Sequence, residues 1–256
     1  MELRRLYPEP GAVEIDAVLA ELDFGGRAPG DRPFVVANMV GSLDGRAAVH
    51  GRAGPLGGEI DRALFHALRR QVDAIMVGTG TLRAERYGRL VKDAAAREAR
   101  AAAGLRPDPL AVIVSRSLEL PLDIPLFQDA ESTIAVYTGV SGELEPCPAR
   151  VHVSRLEGVS IAAALRALRA EHGVSSVLCE GGPLILGAAL AEGAIDELFL
   201  TLSPVVVGRA DEPALVGGQA LPEPLELDLR WVLEAGGELF LRYGVQRRGG
   251  ETYAPR

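Results

Sequence analysis

Apolar strand-like runs alternate with helical stretches through most of this chain, and the order predicts an α/β domain with a mainly parallel sheet and an antiparallel edge. Three observations carry that prediction. Short β-branched runs, such as PFVVANMV (33–40), DAIMVG (73–78) and PLAVIVS (109–115), end in glycine or polar turns. Between them lie segments of helical period, such as EIDRALFHALRRQV (59–72). The last two strand-like segments, within 224–247, fold back at Gly236-Gly237 as a hairpin.

Residues 1–31 read as an extension. Val13, Ile15, Ala17, Val18, Leu19 and Leu22 suggest one short amphipathic helix, broken by DFGGRAPGDRP. After strand 33–40, GSLDGRAAVHGRAGPLGG (41–58) is a glycine-rich loop. The helix at 59–72 keeps Ile60, Ala63, Leu64, Ala67 and Leu68 on one face. Strand 73–78 is followed by TGTLRAERYGRL (79–90), read as a loop, and by an alanine-rich helix (92–104) stopped by Gly104. Strands follow at 109–115, 132–138 and 149–154. Ser160 caps a helix that Gly173 ends. SSVLCEGG (175–182) is a strand and turn, and Pro183 starts the next helix, where no amide partner is lost. IDELFLTLSPVVVG (195–208) is a strand and loop before the hairpin. One domain is expected over 32–247, with 248–256 as a tail.

The bulk numbers exclude some classes. With 256 residues, 48% hydrophobic and 24% charged, the chain can bury a full core. Its net charge of −8, with Lys and Arg scattered, does not fit a nucleic-acid binder. No apolar run reaches the ~18 residues of a membrane span. Two cysteines without a pairing framework suit a reducing compartment, and the N-terminus has no signal-like core, so a soluble cytoplasmic protein is expected. His50, His66, His152 and His172 show no metal-ligand spacing, and no metal is expected.

Ligands of open α/β sheets gather at the carboxyl ends of strands. There the sequence places Gly41-Ser42-Leu43-Asp44-Gly45, Gly78-Thr79-Gly80-Thr81, Ser115-Arg116 and Glu180-Gly181-Gly182. Glycine lets backbone amides approach an anion, and a helix start adds unpaired N–H groups. Each loop by itself reads equally well as a tight turn, because neither G-x-G-x-x-G nor the P-loop pattern is complete.

Taken in order, NMVGSLDGRAA, DAIMVGTGTLRAERY, CEGGPLILGAAL and IDELFLTLSPVVVG resemble the RibD C-terminal domain family, the reductase part of the bacterial riboflavin-pathway enzyme. The resemblance covers roughly 32–247 and takes the stand-alone form. It implies a dihydrofolate-reductase-like fold, a homodimer, and NADPH-dependent reduction of a phosphoribosylamino-pyrimidine, of the 5-amino-6-(5-phosphoribosylamino)uracil type. It implies that Gly78, Thr79, Gly80, Thr81, Gly181, Gly182, Leu184 and Gly187 line the cofactor. Ser115 and Arg116 fall on its adenosine side, Arg116 near a 2′-phosphate. Asp44 and Glu180 fall near the nicotinamide as candidate catalytic groups with unseparated roles, and Ser42, Arg69, Glu85 and Arg89 fall near the substrate. Relatives carry ADDP where this chain has Ala84-Glu85-Arg86-Tyr87, and the H-x-E…P-C-x-x-C signature of the zinc deaminase half does not occur. The competing expectations are a dihydrofolate-reductase-like or other pterin or pyrimidine reductase, and a module that binds NADPH without turnover.

Overall fold

The computed structural model describes residues 2–218 and 220–246; the expected tail, 248–256, lies outside them. In chain order the elements are β1 (Glu2–Tyr7), β2 (Gly11–Glu14), α1 (Ile15–Ala20), β3 (Phe34–Ser42), α2 (Glu59–Arg69), β4 (Ala74–Met76), α3 (Thr79–Glu85), α4 (Ala94–Ala102), β5 (Leu110–Ser115), α5 (Pro125–Gln128), β6 (Thr133–Thr138), β7 (Arg150–Arg155), α6 (Ile161–His172), β8 (Ser176–Cys179), α7 (Pro183–Ala191), β9 (Glu197–Ser203), β10 (Leu227–Ala235) and β11 (Glu238–Val245).

All eleven strands form one sheet, ordered β2-β1-β10-β11-β9-β3-β8-β4-β5-β6-β7. The run from β9 to β7 is parallel throughout, and β11, β10, β1 and β2 extend it antiparallel. This is the mixed, mainly parallel sheet with a C-terminal hairpin that the sequence predicts.

Alternation along the central strands feeds two cores. Val36, Ile75, Ile113 and Leu178 point to the side of α2, where Leu64 and Leu68 meet them. Val35, Ala37, Val112 and Val177 point to the side of α6 and α7, among Leu165, Leu168 and Leu186. Strands buried on both faces read as continuous apolar runs, which is why these were visible in the sequence. Ser160 accepts from the Ala163 amide at 3.1 Å, and Gly173 ends α6 at φ 67°, as expected.

Three features depart from the sequence reading. Residues 79–85, expected in a loop, form α3, anchored by fully buried Leu82. Glycine at Gly78 and Gly80 had masked that helix. The short helix α5 was not anticipated. The N-terminal segment holds its expected helix at 15–20, preceded by two strands. β1 pairs with β10, but its charged ELRRLY sequence buries little beyond Leu3 and so gives no strand pattern.

Ion pairs fasten residues 27–32 to the sheet. Glu197, 1% exposed, accepts from Arg27 Nη2 at 2.6 Å and from Arg242 Nε and Nη2 at 2.8 and 2.7 Å. Arg32 meets Asp196 with two bonds of 2.7 and 2.8 Å. Removing one member of a buried charge set strands the others. Glu197→Gln should therefore cost about 3–5 kcal/mol, read as a lowered urea midpoint. A loss under ~1 kcal/mol would show that the arginines find water instead.

Candidate active site

Because β3, β4, β5 and β8 run parallel, their carboxyl ends open on one edge of the sheet. A cavity of about 1110 Å³ lies there. Its walls are the exits of β4, β5 and β8, the cavity-facing side of α2, the loop 47–57 and the segment 213–217.

The β4 and β8 exits touch through glycine. The Gly78 amide donates to Gly181 O at 2.8 Å. A Cβ on Gly78 would lie 2.9 Å from Ile185 Cγ1, and one on Gly182 would lie 2.8 Å from Thr81 Oγ1. Gly181 sits at φ 76°, against Met39 Sδ. The Gly181–Gly182 peptide is cis. α3 and α7 therefore start side by side, and neither start is capped by a side chain. Thr79, Gly80, Thr81, Leu184 and Ile185, in the first turns of these helices, all line the cavity. First-turn amides have no partner within their own helix, so this corner favours an anion.

Glu180 lines the wall with its side chain fully buried, at the centre of a charged cluster just behind the surface. Arg69 donates to it through Nε at 2.6 Å and Nη2 at 2.7 Å, and Tyr87 donates its hydroxyl at 2.8 Å. Arg69 Nη1 donates to Leu90 O at 2.9 Å, and its guanidinium lies 4.2 Å over the Phe65 ring. Arg100, 1% exposed, donates to Arg69 O at 2.7 Å and so fixes the end of α2. Burial opposes the Arg69 charge, but the Glu180 carboxylate more than offsets it, and the Arg69 pKa is raised. Burial drives the Tyr87 phenol well above its ordinary range, and Glu180 adds to the push. Tyr87 is thus a neutral donor.

The other expected residues divide. Gly78, Thr79, Gly80, Thr81, Ser115, Arg116, Gly182, Leu184, Arg69, Glu85 and Arg89 line the cavity with Glu180. Asp44, Ser42, Gly181 and Gly187 are not among its lining residues. Asp44 accepts from Ser42 Oγ at 2.6 Å and from the amides of Val207 and Gly208 at 2.9 and 2.8 Å, tying two loops of the rim together. The Ser42 hydroxyl, then those amides, hold its carboxyl well below the usual range. Ser42 Oγ also accepts from the Arg46 amide. A Cβ on Gly187 would lie 2.0 Å from Gly217 O, so this glycine lets segment 213–217 pack on α7. Glu85 latches loop 47–57 by accepting from the Ala53 amide at 2.9 Å. Arg89 is taken up by Asp108 at 2.7 Å and by Glu131.

Sequence reasoning gave no role to Tyr87, Asp61, His66 or Lys92, all on the wall. Tyr87 was in view only as a departure from ADDP. Asp61, His66 and Arg69 share the helix pattern of α2, and that spacing was the available signal.

The sequence matches the RibD C-terminal domain over residues 33–241. It is 30% identical over 194 residues to 2,5-diamino-6-ribosylamino-4(3H)-pyrimidinone 5′-phosphate reductase of Archaeoglobus fulgidus, covering 74% of this chain and 88% of that protein. The protein of the same name from Methanothermobacter thermautotrophicus is 30% identical over 226 residues, covering 84% and 99%. Among solved structures, a pyrimidine reductase-like protein from Corynebacterium diphtheriae aligns with a TM-score of 0.76 at 26% identity, over 92% of this chain and 100% of that one. With a sheet, a rim and a matched span in agreement, the chain belongs to the RibD C-terminal domain family.

Proposed function

We propose that the protein reduces a 6-(5-phosphoribosylamino)pyrimidine with NADPH, converting the ribose into an open ribityl chain. The observation that carries this reading is the Glu180–Arg69–Tyr87 cluster on the same cavity wall as two uncapped helix starts. The names of the archaeal relatives support a 2,5-diamino-4(3H)-pyrimidinone ring over the deaminated uracil that the family resemblance first suggests.

The walls fit a dinucleotide. Gly78 and Gly182 let the starts of α3 and α7 pack closely side by side, and a pyrophosphate suits the amides there. Arg116, exposed at the β5 exit with no hydrogen bond or ion pair among the described residues, suits a 2′-phosphate. When bound, NADPH supplies the hydride. The chain's own part is position and field. Glu180, its side chain fully buried and its charge matched by Arg69, serves to hold Arg69 and Tyr87 in place on the wall beside the reacting sugar. Asp44, engaged with two loops, serves to shape the rim. Lys92 and His66, toward the Arg69 end of α2, suit the substrate phosphate; burial, then Arg69, lowers the His66 pKa.

We also infer a homodimer in the cytoplasm. β9 and β11 pair Leu202 with Leu239, Leu200 with Leu241 and Leu198 with Tyr243, all of intermediate exposure. Both cysteines are free, and no helix among the described residues is long and apolar enough to cross a membrane. Gel filtration should return twice the chain mass, and Leu241→Arg should return the single chain; a wild-type monomer contradicts the dimer.

Activity is read from loss of reduced-nicotinamide absorbance with the ribosylamino-pyrimidine phosphate. Glu180→Gln should lower kcat ~100-fold while the NADPH Kd stays within ~threefold. NADPH binding without oxidation would favour a sensing module, and oxidation only with dihydrofolate would favour a pterin reductase.

A further inference from the structure

Two adjacent glycines of the loop before α2 lie directly on buried carboxylates. A Cβ on Gly57 would lie 2.1 Å from Asp61 Oδ2, and one on Gly58 would lie 2.6 Å from Glu238 Oε2. Glu238 is accounted for structurally, because it accepts from the Gly58 amide at 2.8 Å. Asp61 is not. It is 9% exposed and lines the cavity, and among the described residues no arginine, lysine or backbone amide donates a hydrogen bond to it. The neighbouring Arg62 donates to Gly57 O instead. Burial raises the Asp61 pKa; a hydrogen bond with the Thr201 side chain and the Arg62 charge oppose the rise, and Glu238 adds to it. A buried cavity-lining carboxyl with a single hydroxyl neighbour and no cation or amide bonded to it keeps acceptor capacity that a ligand's donors can fill.

Its position says which part of the ligand. Asp61 precedes Arg69 by eight residues of α2, on the order of 12 Å along the axis. Lys92 and His66 stand toward the far end, near Arg69, whose own charge Glu180 already matches. A phosphorylated ligand turns its anion to that end and its ring to Asp61. A 2-amino-4(3H)-pyrimidinone presents two adjacent donors there, the 2-amino group and N3–H, which match the two oxygens of one carboxylate. In uracil, position 2 carries a carbonyl oxygen, which opposes a carboxylate.

Resting on the function proposed above, we propose that Asp61 is the residue that selects the pyrimidine ring, accepting from the 2-amino and N3–H donors and disfavouring the deaminated ring. A site built for such donors rejects an analogue that lacks one.

The test compares wild type with Asp61→Asn on the diaminopyrimidinone and uracil ribosylamino phosphates. The ratio of the two kcat/KM values should favour the diamino ring in wild type and fall ~30-fold or more in the variant, mainly through KM. The NADPH Kd should not change. A second measurement needs neither turnover nor a variant. In calorimetry on the NADPH-bound wild type, 2-amino-4(3H)-pyrimidinone should bind at least ~tenfold more tightly than uracil. An unchanged ratio in folded Asp61→Asn, or equal binding of the two fragments, overturns the role of Asp61. Absence of turnover with both phosphates, while the fragment preference holds, would instead reject the proposed reaction and leave the ring selection standing.

Discussion

Arg69 and Glu180 are two opposite charges, both nearly removed from water, from elements far apart in sequence. Such a pair is tolerable only when every polar atom is matched, because the cost of desolvation rivals the attraction gained. Here the matching is close to complete. Both carboxylate oxygens and three guanidinium nitrogens are engaged, and Tyr87 supplies the remaining donor. The pair joins α2, the loop 86–90 and the β8 exit. It gives the cavity wall a fixed shape before any ligand arrives.

The glycine contact between the β4 and β8 exits is the second constraint, and it adjoins the first. Glu180 precedes Gly181, whose carbonyl accepts from Gly78. The β4–β8 ladder, continued by the Glu180 amide donating to Met76 O at 2.9 Å, fixes the register of the two helix starts. Through this coupling the anion-favouring corner and the charged centre are held at a set spacing. In the proposed reaction, that spacing is what separates the phosphates of a cofactor from its reactive end.

Much of this was legible in the sequence, for identifiable reasons. The parallel strands are buried on both faces and read as plain apolar runs. The glycines at 78 and 181–182 stood out only as a set with the other strand exits, since each loop alone reads equally well as a tight turn. What escaped has equally physical causes. β1 is an edge-region strand rich in charge, so period-2 burial is absent from ELRRLY. α3 opens on Gly78-Thr79-Gly80, a poor helix sequence held by the burial of Leu82 and by packing that only the fold supplies. The family resemblance set Asp44 beside Glu180 as a candidate catalytic group, and the ties that Asp44 makes were not legible. Three short hydrogen bonds commit it to its own turn and the 207–208 backbone, and no sequence pattern reports that. Asp61 and Tyr87 were invisible for the opposite reason. An acid in a helix's first turn and a tyrosine in a loop are ordinary until the chain closes around them.

The most direct test of the central claim is a crystal structure with NADPH bound. The account predicts the pyrophosphate against the backbone of Thr79–Thr81 and Leu184, the 2′-phosphate within reach of Arg116, and the nicotinamide on the Glu180 side of the cavity. A dinucleotide lodged away from the β4 and β8 exits, with the Arg69–Glu180 pair untouched by the nicotinamide end, would contradict it.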